Sequence, residues 1–206
     1  MTRKATDIFS DWALLERDKG MEKNHWNAVT NMLKTLIKDQ SQPFSFIDAG
    51  CGNGWAVREM LKNHLCKEAI GVDGAMEMIQ RANNIDPKGE YVFSDLMEWK
   101  PKVPVDIVHS MEVVYYFRDP KKLILHIKDE WLKPAGSIIM GLDFYKENFA
   151  SHTWPKDLNT EMTLLSIKQW ADLLKNCDLC DVKSYQTNST DTFAGTLVLY
   201  AKKLKK

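Results

Sequence analysis

The sequence has no surplus of charge of either sign, with 28 Lys and Arg against 28 Asp and Glu. A chain that grips nucleic acid over a broad face carries a basic excess, so neutrality argues against that partner, while leaving room for a local basic patch. Cysteine is scarce, four in 206 residues, which excludes a disulfide-built scaffold. Cys177 and Cys180 form a lone C-x-x-C, with no second pair and no histidine cluster beside it. It falls at the end of an expected helix, whereas a redox pair works at a helix start, so buried thiols are the better reading. No apolar run approaches the roughly 20 residues that span a bilayer. The opening stretch MTRKATDIFSDW has no apolar core of the signal-peptide kind. These absences lead to the expectation of a soluble, cytoplasmic protein with no membrane partner. Internal repeats, linkers and low-complexity segments are missing too. The length suits a single domain, and 44% apolar with 27% charged residues is an ordinary globular balance.

What is present is one glycine-rich stretch, Phe46-Ile-Asp-Ala-Gly-Cys-Gly-Asn-Gly-Trp55. Apolar residues run into Asp48, and glycines follow at 50, 52 and 54. This reads as a buried strand, a turn whose backbone a ligand can approach because no Cβ intervenes, and then a helix. The start of such a helix offers free N–H groups and a positive dipole end. The spacing is not that of a dinucleotide fingerprint, G-x-G-x-x-G, because Trp55 stands where the third glycine is required.

Around it the chain alternates strands and helices, the mark of an α/β fold with a mainly parallel sheet. Two helices are expected first, 7–19 and 21–40, broken near Gly20. In the second, Trp26, Val29, Met32, Leu33, Leu36 and Ile37 share a helical face expected to be core. Strands are expected at 44–49, 69–73, 91–96, 105–112, 137–142, 181–187 and 192–203. Helices are expected at 55–65, 75–83, 121–131 and 163–177, with a turn at 132–136 and irregular chain over 146–163. Asp73 ends the second strand, 25 residues after Asp48. One carboxylate there can accept bonds from both hydroxyls of a ribose.

The pattern D-x-G-x-G-x-G from Asp48 to Gly54 resembles motif I of class I S-adenosylmethionine (SAM)-dependent methyltransferases. Asp73 matches the acid of motif II, and Leu132-Lys-Pro-Ala-Gly136 is similar to the turn before the fifth strand, with Ala135 replacing one glycine. The run S-M-E-V-V-Y-Y-F from Ser110 resembles the type-11-like, small-molecule branch. The resemblance implies a Rossmann-like seven-stranded sheet with the last strand antiparallel, helices on both faces and an N-terminal helical cap. Residues 1–42 would be the cap, 44–145 the cofactor-binding core, and 146–206 a substrate loop, helix and closing strands of one domain. It also implies S-adenosylmethionine as cofactor, held by Asp48, Gly50, Cys51, Gly52 and Gly54, by Asp73, Gly74 and Met76, by Ser94, Asp95 and Leu96, and by Ser110 and Met111. Asp73 would bind ribose, Met76 would pack on adenine, and Asp95 would accept from its amino group.

Reacting groups would lie at the carboxyl end of the sheet. The fourth strand lacks the [N/D]-P-P-[F/Y/W] of enzymes that methylate nucleic-acid amines, and it has no cysteine for attack on cytosine. Candidate bases or amine orienters are therefore Glu112, His109 and Asp143, with Tyr115 as a further catalytic candidate. Trp12, His25, Tyr115, Tyr116, Tyr145 and Trp154 are candidates for the substrate wall. No metal site is expected. The favoured reading is methyl transfer to an O or N atom of a small molecule. An RNA or protein methyltransferase working with a partner subunit, and a SAM-binding protein without catalysis, stay open as alternatives.

Overall fold

The computed structural model describes residues 2–205. Helices α1 (Ala5–Leu14) and α2 (Asp18–Ile37) precede a seven-stranded sheet. Its strands are β1 (Phe44–Ala49), β2 (Cys66–Asp73), β3 (Glu90–Phe93), β4 (Val105–Met111), β5 (Leu132–Leu142), β6 (Leu179–Thr187) and β7 (Thr196–Lys203). Between them lie α3 (Trp55–Met60), α4 (Met76–Ile85), α5 (Pro120–His126), a short α6 (Trp154–Asp157) and α7 (Ile167–Lys175). The strand order is β3-β2-β1-β4-β5-β7-β6, parallel except for β7, which runs antiparallel to both neighbours.

Alternation along the strands builds two cores. Ile47, Val108, Ile138, Met140 and Leu199 face one way, onto Leu123, Ile124, Trp131, Trp170 and Leu174. Phe46, Ile107, Ile139 and Val198 face the other, onto Val29, Met32, Ala56, Val57 and Ile79. Thus α2, α3 and α4 cover one face, while α5 and α7 cover the other. Strands buried on both faces must be apolar throughout, which is why β1, β4 and β5 were so readable. The order reverses between β1 and β4, and such a switch point leaves a crevice at the carboxyl ends of the strands.

Several boundaries differ from expectation. The helical break lies at Leu15–Arg17, not at Gly20, which sits inside α2. Arg17 N donates to Trp12 O and Glu16 N to Ala13 O, with Glu16 at φ 58°. This is a Schellman ending with glutamate in the left-handed position usually given to glycine. Trp26 is 39% exposed and stacks on Trp55, rings 5.8 Å apart, so it is not core. The expected turn at 132–136 is part of β5, where Ala135 takes φ 63° at an irregularity in the β4–β5 register. The helix expected at 121–131 is α-helical only to His126, and a wider turn, Ile127–Trp131, brings Trp131 into the core. Helix α7 starts only at Ile167, because Ser166 and Gln169 form a reciprocal cap. Residues 146–163 are less irregular than expected, since they hold a 3-10 turn at Phe149–Ser151 and α6.

Candidate active site

A cleft of about 760 Å³ opens at the carboxyl ends of β1, β2 and β4. Its floor is the turn between β1 and α3. Gly52 has φ 53°, and a Cβ there would meet nothing closer than Met78 Sδ at 3.9 Å, so it faces open cleft. Gly54 has φ 79°, and a Cβ there would strike the Tyr91 ring at 2.2 Å. Gly54 therefore serves packing and Gly52 the cleft. Gly50 also lines the cleft, whereas Cys51 is buried behind it, beside a smaller chamber. Burial, with Asp73 and Asp48 nearby, holds the Cys51 thiol well above its ordinary pKa, as befits a packing group.

Asp73 ends β2 with its carboxylate against this turn. Gly52 N donates to Oδ2 at 2.8 Å and Ala75 N to Oδ1 at 2.7 Å. Each oxygen keeps a further lone pair for a ligand hydroxyl. Burial pushes its pKa up to about 6, against the pull of these N–H donors. Asp48 is not in the cleft proper. Its Oδ1 lies 2.7 Å from His109 Nδ1, and both residues are buried. His109 also stacks on Phe46 and is turned away from the cleft. Ser110 is buried too, its hydroxyl donating to Ala49 O at 2.8 Å.

At the far end of the cleft, Gly74, Asp95 and Leu96 line the wall. Asp95 accepts from Met97 N through Oδ1 at 2.8 Å, leaving Oδ2 available. Ser94 turns its hydroxyl toward Asp95 O, away from the cleft. Met76 is 40% exposed and off the cleft, because the helix phase puts Met78 on the inner face instead. Phe93 also lines the wall and was not anticipated, since an apolar residue ending an edge strand carries no signal of its own.

Behind the inner end lie the exits of β4 and β5 and helix α2: Glu112 lines the cleft, and His25 lines the smaller chamber beside it, not the cleft itself. Glu112 has φ 59°, a left-handed conformation rare for a residue with a Cβ. Its oxygens accept from Asp143 N and, at 2.7 Å, from Tyr115 OH. Burial first, then the neighbouring Asp143 carboxylate, raises the Glu112 pKa to about 8. His25 Nε2 lies 3.4 Å from Asp143 Oδ2, and its Nδ1 lies 2.9 Å from Met21 O. Burial opposes a charge on His25, but Asp143 and Glu112 outweigh it and raise the pKa to about 9. His25 reaches this place because Asp18, two turns earlier on α2, is bonded to Asn53 Nδ2 at 2.9 Å and to Arg81. Met111, Glu112 and Tyr116 line the cleft, while Tyr115 is buried behind Tyr116, rings 4.6 Å apart. Three substrate candidates lie elsewhere. Trp12 packs on Phe9, Trp154 stacks on Phe144, and Tyr145 is buried with its hydroxyl donating to Gly195 O at 2.7 Å.

The roof was only partly foreseen. Thr2 to Thr6 and Phe9 line the cleft from above. Arg3 N donates to Asn159 O at 2.8 Å, and Thr160 Oγ1 donates to Arg3 O at 2.8 Å, so the segment spans the opening like a strap.

This fold, with its glycine turn and its acid at the end of β2, matches a family model described as a methyltransferase domain over residues 20–184. The chain belongs to the methyltransferase-domain family. Among solved structures, this methyltransferase domain is similar to the protein in a complex with the Haloferax volcanii Trm112 methyltransferase activator. The TM-score is 0.84 at 25% identity, covering 99% of this chain and 100% of that one. Among curated proteins it is 30% identical over 151 residues to a carboxy-S-adenosyl-L-methionine synthase of Nautilia profundicola, covering 70% of the chain and 62% of that protein. It is 24% identical over 149 residues to a trans-aconitate 2-methyltransferase of Klebsiella pneumoniae, covering 68% and 58%. The methyltransferase domain thus spans about three fifths of these two relatives, and 35% of another trans-aconitate 2-methyltransferase, from Azoarcus. No helix among the described residues is long and apolar enough to cross a membrane.

Proposed function

We propose that this chain is a SAM-dependent methyltransferase acting on an O or N atom of a small molecule. The observation that carries the reading is Asp73, a half-buried carboxylate that lines the cleft and is bonded to the Gly52 and Ala75 N–H groups, with a lone pair left on each oxygen. A ribose diol meets two acceptors there. Asp95 and Leu96 would hold an adenine, beside Phe93 and Met78. The open space over Gly52, with Met111 nearby, would take the methionine part of the cofactor. The donor set suits a nucleoside sulfonium and not a pyrophosphate, since carboxylates, Asp73 and Asp95, face the ligand.

When bound, such a cofactor supplies an already activated methyl group. The chain's own task is to align an acceptor with it and exclude water, and most of the gain is proximity and orientation. Tyr116 and Phe9 would form an aromatic wall, their rings 5.5 Å apart. Glu112 is the carboxylate that faces the acceptor, with His25 and Asp143 behind it. The trans-aconitate methyltransferases among the relatives favour a small acceptor. The structure solved with an activator supports a second reading, in which a Trm112-like subunit is needed for activity.

Calorimetric titration of SAM and its demethylated product into purified protein tests this. Micromolar binding, weakened at least tenfold by Asp73→Ala, is expected. That loss matches about 1.5–3 kcal/mol for hydrogen bonds to a charged group. Absence of binding to well-folded protein, alone and with such a subunit, would overturn it.

A further inference from the structure

We propose that His25, Glu112 and Asp143 form a divalent metal site at the inner end of the cleft, with Zn²⁺ the best-matched ion. Each offers one ligand atom, and the three atoms lie within 4.8 Å of one another. They come from three separate elements, α2 and the ends of β4 and β5, so no local turn explains the convergence.

The histidine is set as a ligand. Its Nδ1 is 2.9 Å from Met21 O, so that nitrogen carries the proton and donates. A metal-ligating imidazole commonly anchors its other ring N–H on a carbonyl in this way. The second nitrogen, Nε2, lies 3.4 Å from Asp143 Oδ2, and a divalent ion between them would take the place of any proton that Nε2 carries. That spacing exceeds the roughly 2.7–2.9 Å of a charge-assisted hydrogen bond. It equals the separation, about 3.3 Å, of two ligands on a tetrahedral ion with bonds near 2.05 Å.

Asp143 gives an independent sign. It is 7% exposed; Oδ2 is the oxygen near His25, and Oδ1 is buried without a hydrogen-bond partner, so the carboxylate as a whole is under-satisfied. Native structures rarely leave a buried carboxylate oxygen unpaired. Glu112 completes the set. Tyr115 OH and Asp143 N each use one lone pair of its two oxygens, and the others remain. These bonds, with the left-handed backbone at φ 59°, fix its direction. Two acids and one imidazole leave a fourth tetrahedral position; Glu112 lines the cleft and, with His25, the smaller chamber beside it, so a ligand entering from the cleft would complete the ion's shell. Resting on the methyltransferase reading, this narrows the acceptor to one presenting a hydroxyl or carboxylate oxygen to the ion.

The test uses the full chain, stripped with a chelator and dialysed, then titrated with ZnCl₂ by calorimetry, with SAM titrated separately. We expect one equivalent of Zn²⁺ at micromolar affinity or tighter. Affinity should fall at least tenfold in both His25→Ala and Asp143→Asn, with circular dichroism and SAM binding retained. If Asp143→Asn unfolds, His25→Gln serves in its place. No binding of Zn²⁺ or Mn²⁺ to folded protein, or binding unchanged in folded variants, overturns the site. Zn²⁺ binding without SAM binding, alone and with a Trm112-like subunit, upholds the site and defeats the cofactor reading, and the reverse defeats only the site.

Discussion

Two glycines of one turn should fail in opposite ways. Alanine at Gly54 must sit at φ 79° and place its Cβ 2.2 Å from Tyr91, whose ring is held at the edge of the sheet. The left-handed backbone costs about 1–2 kcal/mol and overpacking about 1–3 kcal/mol. Restricting the unfolded chain returns about 0.4–1 kcal/mol. The net loss is then roughly 1–5 kcal/mol, a midpoint drop of about 2–20 °C for a chain of this size. Alanine at Gly52 meets the backbone cost at φ 53° but no neighbour within 3.9 Å, so it should lose about 0–1.6 kcal/mol, under about 6 °C. Its methyl group instead occupies the cleft. Thermal melts with parallel SAM calorimetry separate the two. Gly54→Ala should melt early, and Gly52→Ala should melt almost normally while binding SAM at least tenfold more weakly. If Gly52→Ala binds normally, the cofactor does not lie over this turn. If Gly54→Ala melts like the parent, Tyr91 does not pack as described.

Asp73 makes binding pH-dependent. Its folded pKa of about 6 lies above the usual carboxylate value, so its proton favours the fold at low pH and that contribution is lost as pH rises from about 4 through 6. Ligand hydroxyls need the carboxylate, so SAM affinity should be near full above about pH 7, about half at pH 6, and fall toward tenfold per unit well below that; an affinity flat from pH 5 to 7 would refute this. His109→Ala leaves the Asp48 carboxylate buried without its partner, and urea unfolding should show a loss of about 3–5 kcal/mol; a loss below about 1 kcal/mol would contradict a buried pair. Glu112→Gln should lower turnover at least tenfold while SAM affinity holds within about twofold, and unchanged turnover would remove Glu112 from the reaction.

The sheet was legible because its strands are apolar on both faces and each carries its own punctuation, as at Asp48 and Asp73. The cofactor cradle was legible for the same reason, being local in sequence. What escaped depends on contacts across the chain. Nothing near Glu16 announces a helix end, since the Schellman bonds, not a glycine, create it. Met78 rather than Met76 lines the cleft because the phase of α4 is set by packing on β2 and α1. His109 reads as a candidate base until Asp48 is seen beside it, 61 residues away in sequence. Tyr145 leaves the active end of β5 but turns into the core, and Trp154, at the start of α6, packs half-buried on Phe144. Conversely, His25 carries no motif, and only α2, moored by Asp18 to Asn53 and Arg81, delivers it to Glu112 and Asp143.

The strap from Arg3 to Thr160 has a kinetic consequence. It closes over the cleft through two hydrogen bonds at its tip, Arg3 N to Asn159 O and Thr160 Oγ1 to Arg3 O. A nucleoside bound beneath it, as proposed above, would leave only after both had parted, and residence time and affinity would become separate quantities. Spent cofactor would then wait on the strap, and the slowest step of a cycle would be an opening motion far from the carboxylates, as in enzymes limited by product release. Thr160→Val, which removes one of the two bonds, would shorten that wait without touching the floor of the cleft.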